Sequence, residues 1–136
     1  KVGEHYVIRL EKGEKVIEKL TEFCKKTGTK SGHFAGIGGL SEAKIGHLSI
    51  EKKKYHSKVF KDSLLELISL QGNVTMSEGE VKIHAHILIG DSKFRTFGGH
   101  LMEAKVLPTC EIVLFPFSET INRKHNERIG LQLLDF

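Results

Sequence analysis

Apolar residues recur at a strand's period of two along most of this 136-residue chain, and at a helix's period in one segment. Residues 5–10 alternate around Tyr6, Ile8 and Leu10, which predicts a strand. Val16, Ile17, Leu20, Phe23 and Cys24 then fall on one helical face. Gly13 and Glu14 suit the start of that helix, Lys25 and Lys26 suit its C-terminal dipole, and Gly28 can end it.

Beyond Gly28 the pattern predicts strands. A short one spans 31–35, Gly36 to Gly39 read as a turn or bulge, and a longer strand covers 43–50. The polar tip 51–54 leads into a partner from Tyr55, which makes a hairpin. Further strands are predicted over 63–74, 81–90, 94–97 and 109–115. Pro108 is expected at the start of the last of these, because a central ladder would miss its amide. Residues 123–126 read as a polar loop, and 131–134 as a closing strand. One amphipathic helix against many antiparallel strands defines an α+β domain.

Composition narrows the class. With 39% hydrophobic and 28% charged residues the chain suits one globular domain, 1–136, and is too apolar for disorder. No run approaches the roughly 20 apolar residues of a spanning helix, so no membrane partner is expected. Cys24 and Cys110 sit in apolar patterns and read as reduced core thiols. No signal peptide is visible, and the cytoplasm is the expected compartment. The net charge of +4 is modest beside a dedicated DNA binder.

Histidine supplies the candidate chemistry. In the strand 81–90, alternation puts Ile83, Ala85 and Ile87 on one face and both His84 and His86 on the other. Alternate strand positions lie about 6.6 Å apart, so two rings can converge on one cation. His100 follows Gly98 and Gly99, which would let its backbone pass close to a neighbouring strand. Glu111 is a lone carboxylate in an apolar strand. Burial there would demand a partner, and a metal or a histidine N–H would serve. The alternative is a hydrogen-bonded polar cluster at a subunit interface. Zinc is the first choice for imidazole ligands, with nickel, copper and iron also suited.

The glycines carry no nucleotide signature. Gly36, Gly38 and Gly39 lack the required spacing, and a strand follows them where a dinucleotide site needs a helix.

Several stretches, taken in order, resemble a known family. Gly36-Ile37-Gly38 with Leu40-Ser41-Glu42-Ala43, then 65–70 with Gly72-Asn73, are similar to motifs of the plants-and-prokaryotes-conserved (PPC) domain. So are His84-x-His86, Gly98-Gly99-His100-Leu101 with Glu103, Thr109 with Glu111, and the run from Arg123-Lys124 to Gly130-Leu131. The resemblance implies a largely antiparallel sheet of seven or eight strands with a helix, assembled as a homotrimer. It also implies an association with DNA, since plant relatives couple this domain to an AT-hook.

No Arg-Gly-Arg-Pro tract exists here, and only four arginines occur, so strong DNA binding does not carry over. The local candidate for a nucleic-acid contact is Lys52-Lys53-Lys54 beside Tyr55, although a lysine run is usually a solvated hairpin tip. The expectation is therefore a homotrimeric, DNA-associated binding module with a divalent metal on three histidines. The alternative is a zinc-type enzyme, in which an open coordination position activates water and Glu111 serves as base or orients a ligand.

Overall fold

The computed structural model describes residues 1–136, with strand β1 (Tyr6–Glu11), helix α1 (Val16–Thr27) and strands β2 (Gly32–Ser49), β3 (Lys54–Ser77), β4 (Glu80–Gly90), β5 (Thr96–Pro116), β6 (Asn122–Asn126) and β7 (Leu131–Asp135). The predicted stripe buries Val16, Leu20 and Cys24, and the helix packs on β4 and β5. Gly28 ends it in the left-handed region at φ 71°, its N–H reaching the carbonyls of Cys24 and Lys25. No side chain of Lys15 caps the other end. The Glu103 carboxylate from β5 does so instead, accepting the N–H groups of Ile17 at 2.8 Å and Glu18 at 3.2 Å. An anion there also suits the positive end of the helix dipole.

The sheet is seven-stranded and mixed. All pairings are antiparallel except one parallel contact, Met76 to Asn122, between β3 and β6. Three strands are long, at 18, 24 and 21 residues for β2, β3 and β5. Register shifts near Gly36 and Leu40 bend β2 rather than end it. The stretch 36–39, expected as a turn or bulge, is a bulged part of one continuous strand, which joins the strands expected over 31–35 and 43–50.

Length lets the sheet close on itself. β2 pairs with β3 and β5, and β4 pairs with the same two strands. These four strands form a closed circuit of pairings, with β1 on the far edge of β5. The core on one face includes Phe34, Leu40, Leu65, Leu70, Ile89, Ile112 and Leu114, each fully buried with the helical Leu20. Cys24 and Cys110 lie in this core as free thiols, and burial pushes their pKa values up to about 11 and about 12.

Two expectations need correction. Pro108 is inside β5, not at its start. It falls where the register against β2 jumps from Leu40↔Val106 to Gly38↔Cys110, and just before β1 begins pairing at Thr109. A bulge on one side and a missing neighbour on the other leave no ladder bond for its absent amide. Residues 123–126 are not a loop but most of β6, hydrogen-bonded to β7. Their polarity reflects a hairpin lying outside the core, with Arg123 turned toward the sheet.

Candidate metal centre

β4 sends Ile83, Ala85 and Ile87 into the core and leaves His84 half-buried and His86 exposed on the opposite face. Sheet closure then delivers the third ring. β5 crosses from β4 to β2 at His100, which lies opposite His86 on one side and Gly46 on the other. The crossing needs the two preceding glycines. A Cβ on Gly98 would stand 2.9 Å from the Ile87 carbonyl oxygen, and one on Gly99 would stand 2.8 Å from that of Gly46. Ring centroids end up 5.3 Å apart for His84–His86, 5.2 Å for His84–His100 and 5.7 Å for His86–His100. One nitrogen from each ring falls within 4.8 Å of the others.

The donor set fits a metal. Nδ1 of His100 is buried and has no hydrogen-bond partner, the only such side-chain atom in the chain. An orphaned buried nitrogen is costly unless something fills its lone pair. Burial, with Arg123, His100, His86 and Lys82 adding repulsion, pushes the pKa of His84 down to about 4. Burial also lowers that of His100, with help from His86 and Lys82. Both rings are therefore neutral near pH 7, the form a cation requires. A tetrahedral ion at about 2.0–2.1 Å needs its ligands roughly 3.3 Å apart, a modest inward swing from the spacing seen.

Arg123 stands behind His84, a residue the sequence reading placed in a loop and gave no role at this site. Its Nε–H donates to Thr75 Oγ1 at 2.9 Å, Nη1 to the Gln132 carbonyl at 2.9 Å and Nη2 to Asn73 Oδ1 at 2.8 Å. Nη2 also lies 3.4 Å from Nδ1 of His84. A guanidinium can only donate, so this contact places the neutral ring's proton on Nε2. Ligation through either nitrogen of His84 then requires that contact to loosen.

The other expected residues lie elsewhere. Glu111 does not join the histidines. It is exposed, opposite Arg9 in β1 and Ile37 in β2, on a part of β5 far along the strand from His100. Solvent hydrates its carboxylate, so the burial cost that argued for a partner does not arise. Lys52, Lys53 and Lys54 are exposed at the β2–β3 tip. Lys53 Nζ donates to the Glu127 carbonyl at 3.1 Å, which ties this tip to the β6–β7 turn.

Sheet closure and the histidine cluster place the chain among the mixed-sheet α+β domains with a candidate metal centre. The sequence model of the Plants and Prokaryotes Conserved (PCC) domain matches residues 1–118, and the chain belongs to that family. A candidate DNA-binding protein from Bacteroides thetaiotaomicron superposes with a TM-score of 0.96 at 32% identity, covering 100% of this chain and 94% of that one. The metal-containing protein AF0104 from Archaeoglobus fulgidus gives 0.89 at 35% identity, covering 98% and 94%. A bifunctional protein GlmU from Synechococcus sp. is 29% identical over 111 residues, which span 80% of this chain and 16% of that protein. No helix of the structure is long and apolar enough to cross a membrane.

Proposed function

We propose that this chain is a self-associating PCC module whose His84, His86 and His100 hold one divalent metal, zinc in the first instance. The observation that carries the reading is the convergence of three imidazoles, one of which, His100, keeps a buried and unpartnered Nδ1. The metal content of the Archaeoglobus relative supports it. Self-association is supported by the outer sheet face, where Val7, Ile37 and Ile68 are 61%, 58% and 45% exposed around a shallow depression. A trimer would cover them. Binding to DNA, suggested by the Bacteroides relative, is weak and sequence-indifferent here because it rests on solvated lysines with no arginine-rich tract beside them.

A cavity beside His84 and His100 favours a reactive role for the ion over a purely structural one. A divalent ion held there would supply Lewis-acid polarisation of an oxygen-bearing ligand. Elemental analysis of protein purified without chelator, paired with light scattering, tests the proposal. One metal per chain and a mass near three times 15.3 kDa are expected. Zinc that washes off the protein, or a stable monomer at micromolar concentration, would sink the corresponding half.

A further inference from the structure

The cavity between the histidines and the β6–β7 hairpin has a volume of about 530 Å3. Its charge is one-sided. Arg123 and Lys82 supply the positive charge, the imidazoles of His84, His100 and His125 stand beside them, and no aspartate or glutamate lines it. Arg123 is bonded to three neutral acceptors, and none of the chain's ion pairs includes it. A partly buried guanidinium without a counter-charge is unfavourable, and a bound anion would relieve it.

The remaining wall tells which anion. Leu101, Met102, Leu131 and Leu133 make most of it apolar, with Tyr55 and Gln132 as its polar members. Arg123 is its one guanidinium, and most of its N–H groups are already engaged. That leaves capacity for a single carboxylate rather than for the three oxygens and higher charge of a phosphate.

We propose that this cavity binds a small organic monocarboxylate, its head toward Arg123 and Lys82 and its hydrocarbon part on the leucine wall. The positive wall exists without the metal, so the proposal does not require the metal reading. An ion on His84 and His100 would add attraction, and carboxylate and zinc would then raise each other's affinity by the same factor.

The test is calorimetric titration of the full chain, once chelated and once zinc-loaded, with 3-methylbutanoate, its neutral amide and inorganic phosphate. Saturable binding of the carboxylate is expected, with the amide and phosphate at least about tenfold weaker, a difference of roughly 1.4 kcal/mol. Arg123→Gln should weaken the carboxylate by about tenfold or more. Because Arg123 also anchors the hairpin, Lys82→Glu provides a second variant at an exposed strand position, where a negative charge at the cavity should lower affinity with the fold intact. No saturable carboxylate binding, equal binding of the amide, preference for phosphate, or a Lys82→Glu affinity equal to the parent's would each overturn the proposal. Zinc retained without carboxylate binding would leave the metal reading standing alone. Carboxylate bound by a chain that takes no zinc would leave this one.

Discussion

The histidine cluster and the lysine tip are both groups of nitrogenous side chains, and they end in opposite states. Lys52, Lys53 and Lys54 are adjacent in sequence, yet all are solvated and one is spent on a backbone carbonyl of Glu127. His84, His86 and His100 come from two strands, yet their rings converge and one nitrogen is left bare. Adjacency in sequence gives a hairpin tip little more than local charge density. Closure of the β2–β3–β4–β5 circuit gives His84 and His100 reduced solvation and all three rings mutual proximity, and these make a ligand set.

The largest effect should follow His86→Ala. The ring is exposed, so its loss should move stability by no more than about 0.5 kcal/mol. Zinc affinity should fall by about 100-fold or more, because two imidazoles hold the ion far less well than three. Competition with a fluorescent chelator measures it. Unchanged zinc affinity would place the metal elsewhere and dissolve the contrast with the lysines.

Acid sharpens the same contrast. The pKa of His84 is about 4 in the folded chain, against about 6.5 for an ordinary histidine. Between these values the unfolded chain takes up a proton that the folded one refuses, so stability is full above pH 6.5 and is lost as pH falls toward 4. Urea midpoints of the chelated protein should drop across that window, and His84→Gln should flatten the drop. Asp62 does not confuse the reading. Its pKa is lowered to about 2 by hydrogen bonds from Ser92 and Ser63, so its contribution is present above an ordinary carboxyl's range near 4 and is lost below it. A midpoint that holds steady from pH 7 to 4.5 would refute the depressed histidine.

Local pattern made part of this legible. The helix stripe and the His84/His86 face follow from periodicity alone, since both depend on residues close in sequence. The Gly98-Gly99 pair also pointed correctly to a close backbone approach before His100. Residues whose setting depends on the closed circuit were read less well. Pro108 reads from sequence as a strand start because nothing local shows that both neighbouring ladders are interrupted there. Arg123 has the local signature of a loop residue, since a short polar hairpin strand has no apolar face to announce it. Glu103 as helix cap was missed for the same reason, its partners being 85 and 86 residues away. An S/T/D/N cap was absent at Lys15, and that gap was the available signal that something distant must fill it.

A smaller effect is expected at the tip. Changing Lys52, Lys53 and Lys54 together to Glu should weaken DNA binding that starts in the region of about 10⁻⁴–10⁻⁶ M, and should flatten its salt dependence. Stability should fall only slightly, through the lost Lys53–Glu127 contact. Nanomolar, sequence-selective binding by the parent chain would show that the tip is more than a solvated turn.

The smallest effect belongs to Glu111→Gln, and its smallness is the point. A ligand, or a carboxylate holding a ligating histidine in place, would lose about 10- to 100-fold in metal affinity on this change. In the structure Glu111 lies on the outer sheet face among Val7, Ile37 and Ile68, opposite Arg9 and away from the three rings. Zinc affinity should therefore stay within about twofold, because solvent and salt screen a distant, exposed charge. Any response should come from assembly, because a trimer covering this face would enclose the carboxylate with the apolar residues around it. Removing an enclosed, unpaired charge would then leave the trimer as stable or more so. Light scattering across a dilution series reads that shift, while chelator competition on the same samples reads the metal. A large loss of zinc with no change in assembly would return Glu111 to the metal centre and contradict the placement of that strand.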